Sequence, residues 1–207
     1  DAGHELRTPL TIISGHLELM ETDPSQTESS MLIVKDELDR MSRIVRDLQT
    51  LTRSSQPDFI KTSEVNLADL GDELFVKASQ LGDRNWSLGE ISKSSWSLDR
   101  ERITQAILQI SENAIRFTKD NDPIRLDILT DEKSVEVSVS DSGTGIPEAS
   151  RQRITQRFVT GTSSTNSGHG AGLGLALVTA IAEGHGGELV IGDSDLGGAK
   201  VTLKIPR

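Results

Sequence analysis

Cysteine and tyrosine are both absent from the 207 residues, and aromatic side chains make up only 3% of the chain. Without cysteine, disulfides, thiolate metal sites and cysteine nucleophiles are excluded. With so few aromatics, the core has to be built from Leu, Ile and Val. No apolar run approaches the ~18 residues that a membrane helix needs. The chemistry of this chain must therefore come from histidine, carboxylate, amide and backbone groups.

An excess of basic charge is also lacking, because the net charge is −10. Nucleic-acid binding depends on basic patches that neutralise phosphates. We therefore expect no nucleic-acid partner. The chain starts at Asp1 without a Met, and a marked motif follows three residues later. We expect it to be a piece of a longer protein whose upstream part has been removed.

The first 55 residues show two apolar heptad seams, which predict two helices separated by a break at Asp23-Pro24. The seam residues are Leu6, Leu10, Ile13, Leu17 and Met20, then Met31, Val34, Leu38, Met41, Val45 and Leu48. Two helices cannot enclose a core alone, so the stripes need a partner. Pairing two hairpins into a four-helix bundle predicts a homodimer. Packing of the hairpin on the rest of the chain is the alternative.

The predicted fold class is α plus α/β: a helical hairpin over 1–56, a polar linker over 57–63, and a two-layer α/β sandwich over 64–207. Asp99 is a good N-cap for a helix whose apolar face runs from Ile103 to Phe117. Further helices are predicted over 68–80, near Pro147 and over 172–184. Strands are predicted over 65–67, 86–91, 95–98, 124–129, 135–139, 188–191 and 199–205.

Two glycine-rich segments stand out in the second module. Gly143 and Gly145 follow a predicted strand, and a run of Gly170, Gly172 and Gly174 precedes a predicted helix. Glycines that open a helix expose N–H groups to an anion, which predicts a phosphate site at the second segment. The sequence has neither the Gly-Lys-Ser/Thr of a phosphate loop nor a strand leading directly into Gly170. Each segment alone could also be a simple turn.

The order of these motifs is more specific than any one of them. Asn113 lies in Ser-Glu-Asn-Ala-Ile-Arg-Phe-Thr, followed by Asp141-x-Gly-x-Gly, Phe158 and Gly170-x-Gly-Leu-Gly-Leu. This series resembles the N, G1, F and G2 boxes of the ATPase and kinase superfamily of gyrase, MutL and histidine kinases. The resemblance covers residues 64–207. It implies an ATP-binding sandwich with the sheet on one side and helices on the other.

The resemblance also implies roles for individual residues. Asn113 would ligate Mg²⁺, Asp141 would accept a hydrogen bond from the adenine amino group, Arg116 would reach the phosphates and Phe117 would line the adenine pocket. Gly143 and Gly145 would shape the adenine end, and the triphosphate would lie on Gly170, Gly172, Leu173 and Gly174. Residues 159–169 would form a lid. The alternatives are a surface Asn113, a turn-capping Asp141 and a core Phe117.

Two positions depart from the family pattern. Gln109 stands where the family often has Asn, and where hydrolysing members often have a Glu that activates water. Because Gln cannot act as a base, the site suits transfer of the phosphoryl group rather than hydrolysis. Ile154 replaces the first of two usual Phe residues, so only Phe158 remains to couple the lid.

The segment His4–Leu10 (His-Glu-Leu-Arg-Thr-Pro-Leu) resembles the H box of the largest histidine-kinase class. A neutral imidazole is a competent nucleophile near pH 7. The neighbouring carboxylate of Glu5 could take the departing proton. Extending the seam backwards places His4 beside it, facing outward. Alternatively, Thr8 caps a helix that begins at Pro9, and His4 lies in a loose leader.

Together the two resemblances imply a sensor histidine kinase core, a phosphoprotein that uses ATP and Mg²⁺ to phosphorylate His4. The phosphoryl group would pass to an aspartate of a response-regulator receiver domain docked near Thr11, Ile12 and Gly15. Thr8 matches the position that orients water for the family's phosphatase activity.

This family also implies a cytoplasmic fragment, with the full protein anchored in the cell membrane through its upstream region. A gyrase-like ATPase clamp and a non-catalytic docking module are the rival functions.

Overall fold

The computed structural model describes residues 2–156 and 172–207, apart from the side chains of Ala2 and His4. Its helices are α1 Ala2–Thr22, α2 Thr27–Arg53, α3 Leu67–Ser79, α4 Arg100–Phe117, α5 Glu148–Arg151 and α6 Gly174–Gly184. A short 3₁₀ turn, Pro24–Gln26, joins α1 to α2. The antiparallel hairpin predicted from the heptad seams is thus present, with its break at the predicted position.

Seven strands complete this part of the chain. They are β1 Ser63–Asn66, β2 Asn85–Ile91, β3 Ser95–Leu98, β4 Pro123–Thr130, β5 Ser134–Asp141, β6 Glu188–Asp193 and β7 Ala199–Pro206. Strands β1 and β3 form a small antiparallel pair. The main sheet has the order β2-β4-β5-β7-β6, in which only β2–β4 is parallel.

Side-chain caps explain where several helices begin. Asp23 accepts a hydrogen bond from the Ser25 N–H and opens the 3₁₀ turn. Asn66 caps α3 through the N–H groups of residues 68 and 69. Asp99 caps α4 by accepting from the Arg102 N–H at 3.1 Å, as predicted. Such caps each contribute about 1 kcal/mol, because they satisfy donors that the helix cannot pair internally.

One hydrophobic core lies between the main sheet and helices α3, α4 and α6. The inward side chains of β4 and β5 alternate with polar ones, as expected for a sheet covered on one face. The inward members Ile124, Leu126, Ile128, Val135, Val137 and Val139 are essentially inaccessible to solvent. The predicted two-layer sandwich is confirmed.

The predicted heptad seams divide into two faces in the hairpin. Ile13 and Val34 are buried between α1 and α2, and Met41 and Leu48 are partly buried. By contrast, every seventh residue stays exposed, namely Leu10 and Leu17 in α1 and Met31, Leu38 and Val45 in α2. We call these five residues the exposed heptad stripe. The hairpin thus leaves an apolar face that no other described residue covers.

The C-terminal half of α2 and the linker pack on the second module. Ile44 and Leu51 belong to the same buried cluster as α4 and α6. Phe59 is 5% exposed, and the guanidinium carbon of Arg102 lies 4.8 Å from the centroid of the Phe59 ring. Both interpretations of the hairpin therefore have a physical basis, because α2 contacts the sandwich while the exposed heptad stripe stays accessible among the described residues. The predicted linker is also less independent than its polar composition indicated.

The alternative helix start at Thr8 and Pro9 is wrong, because α1 begins at Ala2 and contains Pro9. His16 of α1 has its Nδ1 3.2 Å from the Ser30 hydroxyl oxygen, between the two helices. Among the described residues, no helix is both long and apolar enough to cross a bilayer.

Asp47 of α2 carries an unusual charge environment. Burial, together with the nearby Glu112 carboxylate, raises the pKa of this carboxyl to about 6, against the opposing charges of Arg46 and Arg43. The unfolded chain has an Asp pKa of about 3.9, so the folded state binds the proton more tightly. Ionisation of Asp47 therefore makes a contribution that lowers the free energy of unfolding as pH rises from about 4 to about 6.

We expect Asp47→Asn to stabilise the chain by about 1–2 kcal/mol at pH 8, because the partly buried charge is removed. The gain should shrink below pH 6 and vanish near pH 4. Denaturant unfolding across this range measures it. Asp36→Asn, at an exposed site of the same helix, serves as the control and should change stability by less than about 0.5 kcal/mol. Equal stability of Asp47→Asn and the unaltered chain at pH 8 would contradict the prediction.

Candidate nucleotide site

Helix α4 positions the amides of Gln109 and Asn113 through its buried face. Its apolar residues are Ile103, Ala106, Ile107, Ile110 and Ala114, which are all 3% exposed or less. Gln109 and Asn113 lie one turn apart, beside this face and partly buried. The packing of α4 therefore fixes the direction in which both amides point.

The start of α6 lies directly against these two amides. A Cβ added to Gly174 would sit 2.6 Å from Gln109 Oε1 and 3.9 Å from Asn113 Nδ2. Gly172 has φ +64°, which glycine adopts without strain, and Leu173 is 1% exposed and holds the segment in the core. Leu173, the N-cap residue of α6, makes no side-chain hydrogen bond to the helix start. Because the first N–H groups of a helix have no partner within it, those of α6 are suited to binding an anion beside the two amides. The structure thus brings Gln109, Asn113 and the Gly172–Gly174 segment together.

Asp141 ends β5 at the other side of the site. Its Oδ1 accepts hydrogen bonds from the N–H groups of Gly143 at 2.8 Å and Ala199 at 3.1 Å. Burial raises the pKa of this carboxyl, and the two backbone hydrogen bonds oppose that rise. A carboxylate held in this way is a fixed acceptor, which suits recognition of an amino group. These contacts are more than a turn-capping role requires, because the Ala199 donor comes from another strand.

The loop after Asp141 requires glycine at two positions, one because of a close backbone contact and one because of a positive φ. A Cβ on Gly143 would lie 2.5 Å from the Phe117 carbonyl oxygen, a backbone atom that cannot swing away. Gly145 has φ +70°. The loop after β5 therefore touches the C-terminal end of α4, which joins the two halves of the site.

Arg116 and Phe117 end α4 at this junction. Phe117 is 42% exposed, so the alternative of a core residue is wrong. The Arg116 guanidinium lies 5.5 Å from the centroid of the Phe117 ring, within range of a cation–π contact. Both side chains thus lie at the surface where the loop after Asp141 meets α4.

Several predicted residues lie outside the described part of the chain. They are Gly170, Phe158, the predicted lid over 159–169 and the side chain of His4. The backbone of His4 belongs to α1, together with Glu5 and the exposed Thr8. Because residues four apart share a helix face, the backbone places His4 and Thr8 one turn apart on one side of α1.

The Mg²⁺ prediction rests on Asn113 among the described residues. Within that part of the chain, no group of three or more His, Cys, Asp or Glu side chains could hold a metal ion. An amide oxygen is a suitable ligand for a hard cation that is shared with phosphates. The amides of Asn113 and Gln109 beside the start of α6 fit such a shared ion.

Sequence reasoning missed Ala199 and Gly198 as partners of Asp141. The Gly198 N–H donates to the Asp141 carbonyl at 3.1 Å, and a Cβ on Gly198 would overlap the Asp141 side chain. The available signal was the Gly197-Gly198 pair between two predicted strands. Such a pair predicts a turn, and its contact with β5 cannot be predicted without knowing the strand order.

We expect Gly143→Ala to weaken ADP binding about 5- to 100-fold, because a methyl group there must displace the backbone at Phe117, at a cost of about 1–3 kcal/mol. Calorimetric titration with ADP measures the change. Gly192→Ala is the matched control, because a Cβ at that position meets no atom within 4 Å. An ADP affinity within twofold of the unaltered chain for Gly143→Ala would refute this steric account.

Two family models match the chain in sequence order. The model of the His kinase A phospho-acceptor domain matches residues 1–57. The model of the histidine kinase-, DNA gyrase B- and HSP90-like ATPases matches residues 98–207. The second match covers more than half of the chain.

Known proteins give the same result. The sensor protein SrrB of Staphylococcus aureus is 31% identical over 217 aligned positions, which cover 100% of this chain and 37% of SrrB. The chain thus spans just over a third of the length of that curated relative. The histidine kinase ThkA, in complex with the response regulator TrrA, is 26% identical with a TM-score of 0.78, covering 99% of this chain and 59% of that chain.

A third structure supports the fold alone. The Acinetobacter baumannii histidine kinase AdeS has a TM-score of 0.75 at 22% identity, over 98% of this chain and 97% of that chain. The predicted family resemblance is confirmed. The chain belongs to the histidine kinase-, DNA gyrase B- and HSP90-like ATPases, and the phospho-acceptor domain ahead of the ATPase domain identifies it as the catalytic core of a sensor histidine kinase.

Proposed function

We propose that ATP held by the second module phosphorylates His4 and that the phosphoryl group then passes to an aspartate of a response regulator. The observation that carries this proposal is the convergence of Asn113, Gln109 and the Gly172–Gly174 segment beside the middle of α4, with Asp141 near the C-terminal end of that helix. One chain would therefore carry a nucleotide site and, on α1, an acceptor histidine.

Different residues are proposed for binding the nucleotide and for transferring the phosphoryl group. Asp141 would accept from the adenine amino group, and the Gly172–Gly174 backbone with Arg116 would bind the phosphates. Mg²⁺, held by Asn113, would supply neutralisation of phosphate charge. Alignment and charge neutralisation are the main requirements of phosphoryl transfer.

In the transfer step, an imidazole nitrogen of His4 attacks the γ-phosphorus. The N–P bond forms as the bond to the bridging oxygen breaks, and ADP leaves. Glu5, the next residue of α1, takes the proton from the imidazole. Gln109 cannot take a proton from water, which favours transfer to His4 over hydrolysis.

The partner and the second activity follow from the phospho-acceptor helix. ThkA is bound to the response regulator TrrA in its structure, which supports a receiver domain as the partner of this chain. Thr11 is exposed and a Cβ on Gly15 would meet nothing within 4 Å, so this side of α1 is accessible. We propose docking there, with Thr8 available to orient water for removal of phosphate from the regulator. The membrane anchor and the signal belong to the longer protein.

Incubation with γ-labelled ATP should give an acid-labile label that His4→Gln abolishes. Asn113→Ala should lower the labelling rate about 10²-fold, because it removes a group that stabilises transferring charge. Retention of label in His4→Gln would contradict the proposed acceptor. Steady release of phosphate without any labelled protein would instead favour a nucleotide-driven clamp.

The exposed heptad stripe is the proposed dimer contact. Leucines at seven-residue spacing form the buried seams of helical bundles, and this stripe continues the seam that closes the hairpin. Two hairpins facing each other across it would give a four-helix bundle.

We expect Leu38→Glu to weaken dimerisation more than about tenfold, because a buried leucine contributes about 1.5–3 kcal/mol. Sedimentation equilibrium measures the dissociation constant. Leu32→Glu is the matched control: Leu32 is 63% exposed and lies about 100° around α2 from Met31, on the side away from α1. A dimer that tolerates Leu38→Glu as well as Leu32→Glu would exclude the stripe as the contact.

A further inference from the structure

The turn between β6 and β7, residues 194–198, packs directly against Asp141. The Gly198 and Ala199 N–H groups both donate to Asp141, as described above. A Cβ on Gly198 would also overlap the Gly143 backbone nitrogen. Asp141, the following loop and this turn are therefore packed without space between them, so displacement of the turn would displace the carboxylate.

The turn is closed by its own hydrogen bonds. The Ser194 N–H donates to the Gly198 carbonyl at 2.9 Å, and the Gly197 N–H donates to the Ser194 carbonyl at 3.0 Å. The Leu196 N–H donates to the Ser194 hydroxyl at 3.0 Å. Because these hydrogen bonds join the residues of the turn, displacement of one of its residues displaces the others.

Arg125 holds the turn from the outer face of the sheet. It alternates with the inward Ile124 and Leu126, so it points away from the core. Its Nη1 and Nη2 donate to the two oxygens of Asp195 at 2.9 and 2.8 Å. Because Arg125 pairs with Ser140 of β5, its side chain must pass over that strand to reach Asp195.

Arg125 is itself fixed by a buried carboxylate. Its Nε donates to Asp127 Oδ2 at 2.9 Å, and Asp127 is 7% exposed. The other oxygen of Asp127 accepts from the Glu90 N–H of edge strand β2 at 3.0 Å. The guanidinium therefore has three of its N–H groups committed in one plane, which lowers the entropy cost of the pair.

A second arginine restrains the same hairpin. Arg151 of α5 forms an ion pair with Asp193, the last residue of β6. Its Nε also donates to the Ile146 carbonyl at 3.0 Å, in the loop that follows Gly145. The two carboxylates that flank Ser194 are thus each bound by an arginine from a different element.

We propose that Arg125 is a positioning residue for recognition of the nucleotide base. By binding Asp195 in a bidentate manner, it keeps the 194–198 turn where Gly198 and Ala199 orient the Asp141 carboxylate toward the adenine amino group. Arg125 acts through the turn and touches no ligand. This inference rests on the proposed function and adds a determinant of base selectivity that lies on the opposite face of the sheet from the site.

The test compares ADP with GDP, which share ribose and phosphates and differ only in the base. Arg125→Lys keeps the charge and removes the planar fork, and Asp195→Asn removes the charge of the acceptor. We expect each variant to lower the ratio of ADP to GDP affinity about three- to tenfold. The double variant should lose no more than the larger single effect, because both changes break one contact. Calorimetric titration measures the dissociation constant of ADP, and competition against ADP measures the dissociation constant of GDP.

Arg100→Lys is the matched control, because Arg100 pairs with Glu73 on the helical surface at 3.2 Å. It should leave the affinity ratio within twofold. Arg125→Lys and Asp195→Asn could instead lower the affinities for ADP and GDP equally, or leave their ratio unchanged while lowering unfolding stability. Either result would show a purely structural role and overturn the inference. If the unaltered chain bound no ADP, the proposed function would fail and this inference with it.

Discussion

Burial of the apolar face of α4 is the contact on which the nucleotide site depends. Five of its side chains are at most 3% exposed, between the sheet and α6. Full burial of such side chains contributes about 1.5–3 kcal/mol each. Because the same helix carries Gln109 and Asn113 in its middle and Arg116 and Phe117 at its end, the packing of one helix orients the residues proposed to bind the phosphates and the residue proposed to line the base pocket.

Local signals explain why so much of the fold could be predicted from the sequence. The seams at three- and four-residue spacing, the Asp99 cap and the alternation around Ile124 and Val135 each fix an element without reference to distant residues. The glycine at 174 also has a local signal, because it opens a helix. These features agree with one another and with the fold, which is typical of sequences that specify one structure.

The features that could not be predicted depend on strand order and on contacts between distant residues. Nothing near Asp141 in the sequence indicates that Ala199 will donate to it, since that requires β5 to lie beside β7. The alternative of a core Phe117 was wrong for a similar reason: the helical period places it on the apolar face, but α4 ends there against the loop of Gly143. The burial of Phe59 in a polar linker likewise depends on Arg102 and Gly184, far along the chain.

The position of Phe59 also limits how far the two modules can separate. With Phe59 held in the core, the free connection after α2 is only residues 54–58, which span at most about 17 Å when fully extended. A reactant on so short a tether meets its target at an effective concentration in the millimolar range. The supply of nucleotide to His4 would then be governed by the geometry of this connection, and not by the abundance of the protein.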